Sequence, residues 1–236
     1  MSGIFITSGM TLRIPAGGIR ISLNEEKVSP IVAEVSLDTW DHWLDIANES
    51  LQQSKSAHTL LIQAIDNNSD NKKSSALEAE FKASLTSMSA TAFAMDALYA
   101  SIKERIPASN HPPTSQGKKT PRYALVTEMI RRGFRLTNEQ SQQLRKILKE
   151  LYKFRDWAVH PPGDFRQPIL HPDIDAGVEW RFIAYSASNA KKIYDAIMQV
   201  LTLLFQRVRP GFDDLEKWAN ACNSRLTQDS PRSTAS

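Results

Sequence analysis

The fold is decided by residues 137–160, TNEQSQQLRKILKELYKFRDWAVH, which predict a long amphipathic helix. Leucines recur at helical spacing along one face, at positions 144, 148 and 151. Thr137 and Gln140 stand three residues apart in the form of a capping box, so we expect the helix to begin there. Because a proline follows His160 and disfavours helical backbone before it, the helix is predicted to end near Val159.

The same periodicity predicts a mainly α-helical fold. Three further long helices are predicted over about 38–66, 75–106 and 188–208, and shorter ones over 122–132 and 212–222. Four long amphipathic helices with short connections bury their apolar faces most simply as an antiparallel helical bundle. We therefore expect a helical bundle over residues 31–224.

Short segments with alternating side chains predict a small β appendage. Residues 11–14 and 19–23 alternate around the turn-forming stretch 15–18, which predicts a hairpin within residues 1–30. Residues 178–183 also alternate, and they are predicted to form a strand that pairs with this hairpin. The Ser/Thr-rich residues 225–236 are predicted to be a disordered tail.

The composition excludes several classes of protein. The chain has one cysteine, so neither an intramolecular disulfide nor a Cys-rich zinc site can form. There is no apolar run of the ~18 residues that a membrane span needs and no signal peptide, so we expect a cytoplasmic protein with no membrane partner. The sequence lacks a glycine-rich nucleotide motif and a metal-ligand cluster, so neither a cofactor nor a metal is expected.

Positive charge is concentrated in one part of the chain. Residues 118–155 hold eleven Lys and Arg against three Glu, a net charge of +8, whereas the whole chain carries +3 and the remainder therefore −5. A basic block on a mildly acidic protein indicates a site for a polyanion. A solvated helical surface would give the same pattern, and both interpretations stay open.

Arg155 falls where the apolar stripe of the predicted helix would continue after Leu151. A guanidinium that faces the seam of a bundle needs a partner, because burial of an unpaired charge is costly. The partner is either an anion from outside or a carboxylate on a neighbouring helix, for which the candidates are Glu78, Glu80 and Asp96.

Residues 151–160, LYKFRDWAVH, resemble the signature of the HEPN superfamily (higher eukaryotes and prokaryotes nucleotide-binding domains). That signature is an Arg, a polar residue, three to five further residues and a His near the end of a long helix, matched here by Arg155, Asp156 and His160. The superfamily comprises all-helical bundles. It includes metal-independent ribonucleases of toxin–antitoxin and phage-defence systems, and also members that only bind nucleotides or proteins.

The resemblance implies a toxin or phage-defence ribonuclease that cleaves RNA through attack of the 2′-hydroxyl on the adjacent phosphorus. His160 would act as the acid–base group, Arg155 would stabilise phosphoryl charge, and Asp156 would orient one of them. It also implies a homodimer with the motif at the interface, and an antitoxin or defence-complex protein as a partner. The alternative is a non-catalytic helical module that binds nucleic acid or protein.

The remaining candidates concern RNA contacts and other polar residues. Three lysines on the polar face of the helix are predicted to bind RNA, at positions Lys146, Lys149 and Lys153. Trp157 falls on the same side and either stacks on a base or packs under a loop. His58 lies on the apolar stripe of the first helix and is expected to be a hydrogen-bonded core residue.

Overall fold

The structure, a computed structural model, describes residues 7, 9–13, 34–113, 120–160, 163 and 165–228. Helices dominate this part of the chain, which confirms the mainly α-helical fold predicted from periodicity. The helices are α1 (Trp40–Asp66), α2 (Asp70–Arg105), α3 (Arg122–Gly133), α4 (Asn138–Val159), α5 (Trp180–Ala184), α6 (Ala187–Leu204) and α7 (Asp213–Gln228). The strands are β1 (Met10–Arg13), β2 (Glu34–Leu37), β3 (Ile169–Leu170) and β4 (Gly177–Val178).

Helices α1 and α2 form a long antiparallel hairpin that is held together by small side chains. Asn68 takes a positive φ of 48° in the short turn between them, a conformation that asparagine tolerates well. The hydroxyls of Ser54 and Ser84 lie 2.6 Å apart across the hairpin. Ser87 Oγ donates to the backbone carbonyl of Ala47 at 2.8 Å. Serine and alanine side chains therefore let the two helices approach closely.

Helix α2 lies at the centre of the fold and contacts each of the other six helices of the described part. The largest core contains an aromatic group in which Phe205 lies 5.3 Å from Trp40 and 5.6 Å from Trp218, measured between ring centroids. Side chains of this size each contribute roughly 1.5–3 kcal/mol when fully buried. The position of α2 brings its polar residues within reach of α3 and α4.

A second core cluster fixes the carboxyl-terminal half of α4. Tyr185, which follows α5, is fully buried and packs 5.8 Å from Phe154 of α4. Its hydroxyl donates to the backbone carbonyl of Phe154 at 2.7 Å. This burial raises the pKa of Tyr185 to about 12, so the hydroxyl keeps its proton at physiological pH. The last two turns of α4 are therefore held against the α5–α6 junction.

The predicted β appendage is partly wrong. β1 pairs antiparallel with β2, with Met10 opposite Leu37, while residues 14–33, which include the predicted second hairpin strand, lie outside the described residues. The strand predicted over 178–183 is mostly the helix α5, and β4 pairs with β3 instead of with the N-terminal segment. The Glu179 carboxylate accepts a hydrogen bond from Arg181 N and caps α5, and a segment of five residues is too short for alternation to distinguish strand from helix.

The carboxyl-terminal boundary is also corrected. Helix α7 continues to Gln228, four residues into the segment predicted to be a disordered tail, and residues 229–236 lie outside the described part. Among the described helices, none combines the length and the apolar character that crossing a membrane requires.

Candidate nucleic-acid interface

Helix α4 begins and ends where the sequence predicts. Gln140 N donates to Thr137 Oγ1 at 3.2 Å and Thr137 N donates to Gln140 Oε1 at 3.0 Å, so the capping box is formed. At the other end His160 N donates to Asp156 O at 2.7 Å and closes the last turn. The helix therefore presents Arg155 and Asp156 in its final turn, with His160 immediately after it.

Arg155 lies in the seam of the bundle and is paired with carboxylates. Its side chain is 23% exposed, and its Nη1 donates to Asp96 Oδ2 of α2 at 3.2 Å. Its Nε and Nη2 both donate to Asp156 Oδ1, at 3.1 and 2.7 Å. Of the two kinds of partner that the sequence leaves open for Arg155, the structure contains the carboxylate on a neighbouring helix, which is Asp96. Of the other two candidates, Glu78 pairs with Lys82 and Glu80 with His58.

The Asp96 carboxylate accepts hydrogen bonds from three side chains on two other helices. Its Oδ1 accepts from Arg122 Nε and from Tyr152 Oη, each at 2.6 Å, while Oδ2 accepts from Arg155. Burial and the bond to Asp96 raise the pKa of Tyr152 well above its usual value, so its hydroxyl remains a donor. Burial alone would lower the pKa of Arg122, but the hydrogen bond and charge of Asp96 raise it overall. Asp96 therefore holds both arginine side chains at one point between α3 and α4.

An open groove runs over this cluster, between the start of α3 and the last three turns of α4. It is lined by four cationic side chains, three aromatic side chains and one carboxylate: Arg122, Lys149, Lys153, Arg155, Tyr123, Tyr152, Trp157 and Asp156. With Asp96 beneath them, these side chains carry a net charge of +2. A concave, basic surface with aromatic walls is suited to bind a phosphodiester backbone.

The predicted RNA-binding residues are not all in this groove. Lys149 and Lys153 line it, whereas Lys146 is exposed on α4 but does not line it. Lys153 Nζ also lies 3.6 Å from Glu150 Oε2, so this carboxylate already balances part of the charge of Lys153. Of the predicted lysines, Lys149 is the one in the groove that forms no ion pair with another described residue.

Trp157 lines the groove but is packed within the protein. Its ring lies 4.9 Å from Trp180 and 5.5 Å from Phe154, both in edge-to-face geometry. Lys153 Nζ lies 4.6 Å from the centre of the same ring. These contacts correspond to the packing interpretation of Trp157, and a base that stacked on this ring would have to displace the ammonium of Lys153.

His160 is exposed at the end of α4, and its ring is not hydrogen-bonded to the arginine–carboxylate cluster. Its backbone closes the helix, while its ring forms no hydrogen bond to another described residue and does not line the groove. The structure thus joins Arg155 and Asp156 by side-chain hydrogen bonds, whereas the bond that links His160 to Asp156 is between their backbones.

His58, the other histidine that the sequence drew attention to, has a structural partner. His58 Nδ1 lies 3.1 Å from Glu80 Oε2, so it is hydrogen-bonded as predicted, although its side chain is half-buried instead of lying in the core. Glu80 Oε1 in turn accepts from Ala187 N at the start of α6. Within the described ranges no three His, Cys, Asp or Glu side chains come together in an arrangement that could hold a metal ion.

Arg122 and the role of Asp96 as a shared acceptor were missed by sequence reasoning. Arg122 is one of eleven basic residues in its part of the chain, and its residue type alone does not distinguish it from the others. The signal that was available is the predicted helix start after Pro121, which places Arg122 at a helix end. Comparison of the chain with known protein families, with curated proteins and with solved structures finds no match.

Proposed function

We propose that the protein binds single-stranded RNA along the groove between α3 and α4. The observation that carries this proposal is the convergence of Arg122, Lys149, Lys153 and Arg155 on one open surface with aromatic walls. Cationic grooves with aromatic side chains are a common solution for single-stranded nucleic acids. The resemblance of residues 151–160 to the HEPN signature selects RNA among the polyanions that such a surface would attract.

The groove is suited to the RNA backbone more than to its bases. Tyr152 already has a guanidinium over its ring, at 4.6 Å from Arg155, and Tyr123 has Arg145 at 5.7 Å. Trp157 has Lys153 over its ring. Because cations cover these faces, we expect affinity to come mainly from phosphate contacts and to depend weakly on RNA sequence.

The test is direct binding of a fluorescently labelled RNA of about 20 nucleotides, followed by anisotropy at low salt. Wild type should bind, and the double variant Lys149→Gln/Lys153→Gln should bind clearly more weakly. Lys192→Gln/Lys217→Gln removes the same charge from exposed positions on α6 and α7 and serves as the matched control. Equal affinity of the two double variants would contradict the proposal.

A second candidate function is a metal-independent ribonuclease of HEPN type, acting as a toxin or phage-defence effector. The observation that favours it is the exposed ring of His160 at the end of α4, five residues after Arg155. In this mechanism the RNA 2′-hydroxyl attacks phosphorus, which yields a cyclic phosphate and a free 5′-hydroxyl. His160 would transfer the protons and Arg155 would stabilise the charge on the phosphoryl oxygens.

The ribonuclease proposal includes a two-fold homodimer, which the binding proposal does not need. The ring of His160 forms no hydrogen bond to Arg155, and the family resemblance implies a motif at a dimer interface, so we propose that the site combines residues of two copies. The bonds of Arg155 to Asp96 and Asp156 favour the non-catalytic binding module, because they give this arginine a structural role without RNA.

A further inference from the structure

The hydrogen-bonding edge of Arg155 that would bind a phosphate is occupied by the neighbouring carboxylate. Nε and Nη2 form the edge of a guanidinium that matches two oxygens of one anion. In Arg155 both nitrogens donate to Asp156 Oδ1, and Nη1 donates to Asp96. A phosphate in the groove would therefore meet an arginine whose Nε–Nη2 edge is already bonded to a carboxylate.

Arg122 differs from Arg155 in this respect. It uses only Nε for Asp96, at 2.6 Å, and its two terminal nitrogens form no hydrogen bond to another described residue. Its side chain is 35% exposed and lines the groove. The guanidinium lies 4.2 Å from the centre of the Tyr99 ring, which fixes its plane. Arg122 therefore offers two oriented donors without any rearrangement.

We propose that Arg122 is the primary phosphate-binding residue of the groove and that Asp156 competes with phosphate for Arg155. The inference rests on the proposed RNA-binding function and assigns the order in which its two arginines bind. Phosphate binds first to the terminal nitrogens of Arg122. The Nε–Nη2 edge of Arg155 becomes available to phosphate only when the Asp156 carboxylate leaves it.

The contact that must break is weakly held. The Asp156 side chain is 59% exposed, and its carboxylate contacts Arg155 through one oxygen only. Exposed ion pairs contribute little to stability, so a phosphate with a similar charge can displace the carboxylate. The bond between Arg155 and Asp96 does not need to change, and it keeps the guanidinium in place during the exchange.

The distinguishing variant is Asp156→Asn, which keeps the size of the side chain and removes its charge. We expect it to bind RNA roughly two- to fivefold more tightly than wild type. Glu139→Gln is the matched control, since it removes the same charge from an exposed position in the first turn of α4. An equal gain in both variants would show that only net charge matters and would overturn the competition by Asp156.

A second comparison tests the order of binding. Arg122→Lys keeps the charge and removes the fork, and we expect at least roughly a fivefold loss of affinity, measured well below the melting temperatures of both proteins. Arg155→Lys should reduce RNA affinity less in wild type than in the Asp156→Asn background. Only in that background is the Nε–Nη2 edge of Arg155 free to bind phosphate. The proposed order of binding would be overturned if Arg155→Lys lost the same affinity in both backgrounds, or if Arg122→Lys bound RNA as tightly as wild type.

The outcomes separate this inference from the function on which it rests. If wild type binds RNA and Lys149→Gln/Lys153→Gln weakens it, while Asp156→Asn behaves as Glu139→Gln does, the inference fails and the proposed function stands. If neither wild type nor Asp156→Asn binds RNA at low salt, both fail.

Discussion

Arg155 of α4 donates from Nη1 to Asp96 Oδ2 of α2 at 3.2 Å, and this bond explains how a charged residue occupies the apolar stripe of an amphipathic helix. Asp96 also accepts from Arg122 and Tyr152, so one carboxylate ties three helices together at the floor of the basic groove. The pairing gives Arg155 a structural role and at the same time positions it beside the surface that we propose binds RNA.

Removal of the Asp96 carboxylate should destabilise the protein. Asp96→Ala leaves two guanidinium groups and the hydroxyl of Tyr152 without their common acceptor, so we expect a loss of roughly 1–3 kcal/mol in the free energy of unfolding. Urea denaturation of wild type and Asp96→Ala measures this difference in the free energy of unfolding. The control is Glu78→Gln, which removes an exposed pair with Lys82 and should cost about 0–1 kcal/mol. A loss for Asp96→Ala no larger than the control's would contradict the role of Asp96.

Much of the fold follows from the sequence because helical periodicity and end signals act locally. The capping box at Thr137 and Gln140 needs only residues within one turn, and the structure contains it. The sequence predicts a strand where the structure has the short helix α5, because five residues do not define a period. Its place is set by tertiary contacts, such as Trp180 against Trp157 at 4.9 Å.

The candidate site shows the same division between local and long-range information. Periodicity predicts that Arg155 lies on the inward face of α4, and the cost of burying its charge requires a partner. The sequence does not show which of Glu78, Glu80 and Asp96 is that partner. That choice depends on how α2 and α4 align. Arg122 was missed for the same reason, since its bond to Asp96 joins residues 26 positions apart.

If the second candidate function holds, RNA should be cleaved in the presence of EDTA and only where a 2′-hydroxyl is present, leaving cyclic phosphate or 3′-phosphate ends. His160→Ala should lose about 10²–10⁴-fold in rate while RNA binding survives. Arg155→Ala should lose rate and some affinity. Arg166→Ala changes an exposed arginine outside the groove and should cleave as wild type does. Cleavage unaffected by both Arg155→Ala and His160→Ala would show that the motif is not the site.

The ribonuclease candidate also predicts a particular assembly. A composite site that combines Arg155 of one copy with His160 of another requires a dimer, so light scattering should give twice the 26.5 kDa mass of the chain. A monomer at micromolar concentration would remove the composite site and leave the binding function, which one chain can perform.

Stability should depend on pH through Glu128. The hydrogen bond from Arg131, with that from Arg132, outweighs the effect of burial and lowers the pKa of Glu128 from 4.5 to about 2. The folded state then holds this proton less tightly than the unfolded state, so the stabilisation is complete above about pH 4.5 and is lost as the pH falls towards about 2.

The matched variant is Glu128→Gln, which cannot ionise. Its deficit in unfolding free energy relative to wild type should be largest near neutral pH and should shrink across that window. Arg132 also donates to the backbone carbonyls of residues 110 and 111, so the pairing supports the chain that leaves α2. A deficit that stays constant between pH 6 and 2 would contradict the role assigned to Glu128.

The salt dependence of RNA binding tests the central claim most directly. If Lys149 and Lys153 contact phosphates, the double variant Lys149→Gln/Lys153→Gln should reduce the slope of log Kd against log salt by about 1.4, which is 0.7 for each lost contact on a single strand. The charge-matched control Lys192→Gln/Lys217→Gln should keep the wild-type slope. The account is contradicted if the two double variants share one slope, because RNA would then bind somewhere other than the groove between α3 and α4.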